Sequence, residues 1–165
     1  MARKSHERTI LPSVLDRLID LEPGNRKEAQ AVRAQSLREM KDSVRRDLEW
    51  LLNTRRTPEE PISTATELWK STYCYGLPDI TGMALNTPAS RDELAHSLER
   101  AISAFEPRLI NVSVSMQQSP TASRTLRFQI EALLRTEPAP SRVFFDTRLE
   151  LIRGEYEVVG DTNAR

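Results

Sequence analysis

The chain has 165 residues, 38% of them hydrophobic and 29% charged, and its 24 basic side chains are balanced by 24 acidic ones. That length suits one domain with a real core, and that balance excludes a strongly basic nucleic-acid binder. Aromatic residues, at 5%, are too few for a base-stacking platform.

The single cysteine, Cys74, cannot close an internal disulfide, and its neighbours Tyr73 and Tyr75 supply no cation to activate the thiol. Its expected role is a small apolar filler in a reducing compartment. MARKSHERTI has basic residues with no apolar stretch behind them, so no secretory signal is expected. No apolar run approaches membrane-spanning length. The expected location is cytoplasmic, without direct membrane insertion.

In chain order, residues 1–10 read as a flexible N-terminus and 11–159 as one domain, with 160–165 a flexible tail. Ser13, after Pro12, is placed to cap a short helix whose apolar face is Val14, Leu15, Leu18 and Ile19, stopped by Pro23 and Gly24. The charged stretch NRKEAQAVRAQ reads equally as solvated helix or linker. Ser36 and Glu39 have capping-box spacing, and Leu37, Met40, Val44, Leu48, Leu51 and Leu52 follow at steps of three and four. This pattern predicts the clearest helix of the chain, running to about Arg55.

Prolines at 58, 61, 78 and 88 with Gly76 and Gly82 predict loops and short ordered pieces over 57–90, including a brief turn at Glu67, Leu68 and Trp69. Thr87-Pro88 and Ser90-x-x-Glu93 then start a helix carrying Leu94, Leu98, Ile102 and Phe105, which Pro107 ends. Three alternating strands follow. Their apolar faces are Ile110, Val112, Val114 and Met116; Leu126, Phe128, Ile130 and Ala132; and Val143, Phe145, Leu149 and Leu151. A fourth short strand, Glu155 to Val159, is placed after a turn at Gly154. The expected fold is α+β, with N-terminal helices packed on one face of a small antiparallel meander of three to four strands.

The corner between helix and strands, AFEPRLINVSV, poses the functional question. Continued backwards from Ile110 without a bulge, the alternation puts Arg108 and Glu106 on the core parity, where charges must be paired. One reading is structural, with Arg108 meeting the last helix carbonyls and Glu106 accepting from nearby backbone donors. The other makes the pair a preset docking point for another protein. Periodicity alone leaves both open.

The blocks LPSVLDRLID (11–20), RRDLEWLLNTRR (45–56), YGLPD (75–79) and FEPRL (105–109) resemble, in order and spacing, the signature blocks of the TssE family. These are type VI secretion baseplate subunits related to a wedge protein of contractile phage tails. The resemblance implies a structural part of the baseplate wedge with a small sheet like that by which sheath subunits join. It implies that Glu106, Pro107 and Arg108 contribute contacts that start sheath assembly, with Arg55 and Arg56 as further wedge contacts. The implied partners are the wedge subunits TssF, TssG and TssK and the sheath subunits TssB and TssC. An edge strand of the meander offers free backbone groups with which a partner strand can pair.

Catalysis is the competing class, because relatives of this family carry a lysozyme-like label. A peptidoglycan glycoside hydrolase needs two carboxylates across a cleft, and Glu106 with Glu131 or Asp146 is the candidate set. Both partners fall on the polar sheet face, and the tryptophans, Trp50 and Trp69, lie elsewhere in the pattern. His6 and His96 have no nucleophile motif around them, and two histidines with one cysteine do not make a zinc site. The arginines of NTRRTP also fit an ordinary helix C-terminus. STYCYGLPD fits either a packed loop or part of an interface. The expectation is a structural protein with no catalytic residues, no metal and no cofactor.

Overall fold

The computed structural model describes Leu18 and residues 37–59, 61–62, 64–80, 87–117, 125–136 and 139–159. The expectations for both termini, for the first short helix apart from Leu18, and for the Ser36 cap lie outside the described residues. Helix α1 spans Leu37–Asn53, stopping just short of the expected Arg55. Its stripe of Met40, Val44, Leu48, Leu51 and Leu52 is buried as the three-and-four spacing requires.

Two 3₁₀ turns follow, Leu68–Lys70 and Thr72–Cys74, and Ser71 caps the second by accepting from Tyr73 N–H. Cys74 is buried and free, in keeping with a filler role. Helix α2 spans Pro88–Phe105. Its cap is Thr87, whose Oγ1 accepts from Ser90 N–H at 3.2 Å, while Pro88 takes the first helical position, where a missing N–H costs nothing.

Strands β1 (Leu109–Gln117), β2 (Thr125–Leu134), β3 (Ser141–Glu150) and β4 (Glu155–Val159) form one antiparallel sheet in the order β1-β2-β3-β4. Each of β2, β3 and β4 pairs antiparallel with the strand before it, the meander that the alternation predicts. Both helices lie on one face, α1 towards β4 and α2 towards β1. Val44, Leu48, Leu94, Leu98 and Ile102 from the helices join Phe128, Ile130, Val143, Phe145 and Leu149 from the sheet in one core cluster.

Two sequence expectations change. β1 contains a bulge between Ile110 and Ser113, with Asn111 at φ 54°. Asparagine tolerates this left-handed geometry better than most residues, and the extra residue reverses the strand's parity. Leu109, rather than Ile110, therefore enters the core before the bulge, and Val114 enters after it. On β3 the inward face continues through Thr147, and Leu151 lies half out in the turn beyond the strand.

Thr147 is 1% exposed, and its hydroxyl finds no hydrogen-bond partner among the described residues. A buried, unpaired hydroxyl is a stability deficit. Thr147→Val should accordingly raise stability by about 1 kcal/mol in urea denaturation.

Candidate functional site

The helix–strand corner is built by three elements. At the end of α2, Glu106 is the C-cap, and its N–H donates to the Ile102 carbonyl at 2.8 Å. Pro107 stands exposed at the tip, and Arg108 leads into β1. The Glu106 carboxylate turns inward and folds back on Arg108. It accepts from the Arg108 backbone N–H at 3.2 Å, from Nε at 2.7 Å and from Nη2 at 2.5 Å. This is a forked, charge-assisted contact, the strongest common form of such a bond.

The third element is α1. Arg108 Nη2 also donates to Asp47 Oδ2 at 2.5 Å, and Nη1 donates to Ser43 Oγ at 3.1 Å. Asp47 takes a second arginine, Arg46, at 3.0 Å, and the Arg46 guanidinium lies 5.4 Å from the ring centre of Trp50. One guanidinium thus ties the start of β1 to the end of α2 and to the middle of α1. Side-chain exposure is 6% for Glu106, 20% for Arg108 and 21% for Asp47. The glutamate is inside, while the arginine and aspartate reach the rim.

Burial alone would pull the Arg108 pKa down, but the hydrogen bonds and charges of Glu106 and Asp47 outweigh it. The guanidinium is held above its ordinary value and stays charged. The same acids act on Tyr75, whose hydroxyl is pushed up first by burial and then by Asp47 and Glu106. The Tyr75 ring meets Phe105 edge-on, with centres 5.2 Å apart.

That contact joins the YGLPD block to FEPRL, and the backbone joins it to the end of α1. Leu77 N–H donates to the Thr54 carbonyl at 2.8 Å, and Arg56 N–H donates to the Leu77 carbonyl at 2.9 Å. Gly76 makes this approach possible. Its φ is 107°, and a Cβ there would lie 2.3 Å from the Thr54 oxygen. Three blocks that are far apart in sequence therefore converge on one side of the molecule.

The sequence-predicted residues separate into two groups. Glu106 and Arg108 are brought together, with Pro107 exposed beside them. Arg55 stands apart, its exposed guanidinium 3.8 Å from Asp79. Arg56 is held through its backbone.

The structural reading of the corner was right about Glu106, which accepts from a backbone donor. It was wrong about Arg108, which meets two carboxylates and a serine instead of helix carbonyls. The parity argument for their burial also fails. Glu106 lies before the strand, and the bulge at Asn111 breaks the extrapolation. Ser43 and Asp47 were missed. Their signal was a polar pair at i and i+4, each one position before a core residue, Val44 and Leu48, which places both on the rim of the buried stripe.

The carboxylates considered for catalysis do not converge. Glu106 is engaged by Arg108, Glu131 by Arg142, and Asp146 accepts from Gln129 Nε2 at 3.3 Å. Glu131 and Asp146 sit on the sheet face opposite the core, away from Glu106. His96 is exposed and pairs with Glu99 at 3.1 Å, in a shallow depression on α2 with Asp92, Glu93 and Arg100. Among the described residues no group of three His, Cys, Asp or Glu could hold a metal ion, and no helix is long and apolar enough to cross a membrane.

Comparison with known families matches the chain over residues 38–139 to the family described as baseplate wedge protein gp25. No curated protein matches. Among solved structures, the chain is similar to one in "The baseplate complex from the type VI secretion system", at 19% identity and a TM-score of 0.47. That match covers 67% of this chain and 94% of the other.

Proposed function

The chain belongs to the baseplate wedge protein gp25 family, and from that premise we propose that it serves a type VI secretion baseplate as the wedge component that starts sheath assembly. A structural baseplate component is what the family is. The finer reading rests on the sequence blocks that resemble TssE and on the joint formed by Glu106, Arg108 and Asp47. The proposed partners are TssF, TssG and TssK in the wedge and TssB and TssC in the sheath, met in the cytoplasm.

The observation that carries the docking role is that the joint is preset. Its charges are fixed by one another, so the exposed Pro107 tip and the rim of Arg108 are presented in one geometry without a partner. A surface ordered in advance loses less entropy on binding, and fixed charges set register. Glu106 is too deeply buried to touch a partner, so its part is to hold Arg108. Arg55 and Arg56, on the neighbouring segment, are proposed as secondary wedge contacts.

A tagged chain recovered from cells expressing the neighbouring secretion genes should bring down wedge and sheath subunits together. Recovery of the chain alone would remove this reading. The competing glycoside hydrolase finds no support in the carboxylates weighed for it, because Glu106, Glu131 and Asp146 do not converge. Purified protein should release no sugar fragments from peptidoglycan. Sustained release that is abolished by Glu106→Gln, with the fold unchanged, would restore the enzyme.

A further inference from the structure

The last strand of the sheet is held differently on its two sides. β4 has five residues against nine or ten in the other strands, and it pairs only with β3. Two of its side chains, Tyr156 and Val158, enter the core, while Glu155, Glu157 and Val159 face out. Tyr156 lies opposite Leu149 and Val158 opposite Thr147, so Thr147 and Tyr156 are diagonal neighbours on the core side of the β3–β4 seam.

Both carry a hydroxyl that the core does not satisfy. Tyr156 is 4% exposed, and like Thr147 Oγ1 its OH finds no hydrogen-bond partner among the described residues. Burial pushes its pKa above the ordinary tyrosine value. Among the described residues these two are the buried side-chain polar atoms left without a partner, and both sit at this one seam. Separation of β4 from β3 returns both to water and recovers what their burial costs.

On the outward side, α1 fastens the strand. Asn53 Oδ1 accepts from Tyr156 N–H at 2.8 Å, and Nδ2 donates to the Tyr156 carbonyl at 2.8 Å. Arg45 adds a bond to the Val158 carbonyl at 3.4 Å. The turn that carries β4 passes through Gly154 at φ 65°, and Leu151 and Ile152 in it are exposed, so the turn itself adds little packing.

We propose that β4 is a detachable strand, lifting from β3 and α1 as one unit about the Gly154 turn while β1, β2 and β3 stay folded, with Asn53 as its clasp. The lifted state leaves an apolar slot between α1 and β3 where Tyr156 and Val158 had been. Such an opening lies well below the free energy of global unfolding, because it releases two core side chains and not the whole cluster. It is a property of the isolated chain and stands apart from the assembly role proposed above.

Hydrogen exchange of single amides in the full-length protein tests it. Since Tyr156 N–H points to Asn53, the next pair along, Glu157 with Arg148, is the one that exchanges hydrogen bonds across the β3–β4 seam. Phe128 with Thr147 does the same across β2–β3. The Glu157 and Arg148 amides should exchange at one common rate, about 100-fold or more faster than those of Phe128 and Thr147. Asn53→Ala should speed the Glu157 and Arg148 amides about tenfold, and Tyr156→Phe should slow them about tenfold. Ile102→Val, a mild change in the α2 core, should speed Phe128 about twofold to tenfold and leave Glu157 and Arg148 as they are.

Equal protection on the two seams overturns the proposal, as does an Ile102→Val effect on all four amides, because β4 would then open only when the whole domain unfolds. Faster exchange in Tyr156→Phe also overturns it, since the hydroxyl would then be a support. None of these outcomes alters the recovery of wedge and sheath subunits, so the two readings fall separately.

Discussion

Arg108→Ala should destabilise the isolated protein by about 3–5 kcal/mol, the range for removing one partner of a buried ion pair. The loss follows from what is left behind. Glu106, 6% exposed, would be left buried with one backbone N–H in place of the guanidinium. Asp47 and Ser43 would lose their tie to β1, although Asp47 retains Arg46 and reaches water at the rim. The double variant Glu106→Gln with Arg108→Met should cost less than Arg108→Ala alone, because no buried charge is stranded. Urea denaturation of the three proteins measures the difference. A single variant no less stable than the parent would show that Glu106 reaches water when Arg108 is gone.

Leu48→Ala should cost a comparable amount, about 2–5 kcal/mol, by a different route. Leu48 is fully buried on α1, with Val44 and Leu52 on the same stripe. Truncation removes methyl groups from the core cluster and leaves a cavity that the helix and sheet close only in part. No polar group is stranded, so no second substitution restores it in the way that Glu106→Gln helps Arg108→Met. Thermal and urea unfolding should both register the loss. An unchanged transition would mean that the core collapses around the missing side chain.

Most of the fold was legible because its signals are local. Leu126, Phe128, Ile130 and Ala132 alternate without interruption, and β2 has the inward face they predict. The stripe from Met40 to Leu52 gives α1 in the same way. What the pattern could not show are places where a non-local demand overrides it. The bulge at Asn111 breaks the period of β1, and the only local hint is an asparagine that tolerates positive φ. Thr147 follows the inward parity of β3, but as a polar residue it was passed over. The corner at Glu106 and Arg108 was found through its charges and its resemblance to a family. Its third member, Asp47, lies 61 residues from Arg108 and is visible only once α1 has packed against α2 and the sheet.

The corner's internal bonding changes how its role must be tested. Glu106 and Arg108 hold the fold together, so a loss of assembly in their variants means little by itself. Pro107 separates the two effects. It is exposed, and Pro107→Ala should alter stability only by the small entropic effect of relaxing the unfolded chain, about 0.4–1 kcal/mol.

The most direct measurement plots sheath assembly in cells against the melting temperature of the purified protein for Leu48→Ala, Glu106→Gln, Arg108→Lys and Pro107→Ala. Leu48→Ala sets the line for assembly lost through instability alone. If the corner is a docking point, the other three variants fall below that line, and Pro107→Ala loses assembly while melting close to the parent. If all four lie on one line, the corner is a structural joint and the docking role is wrong.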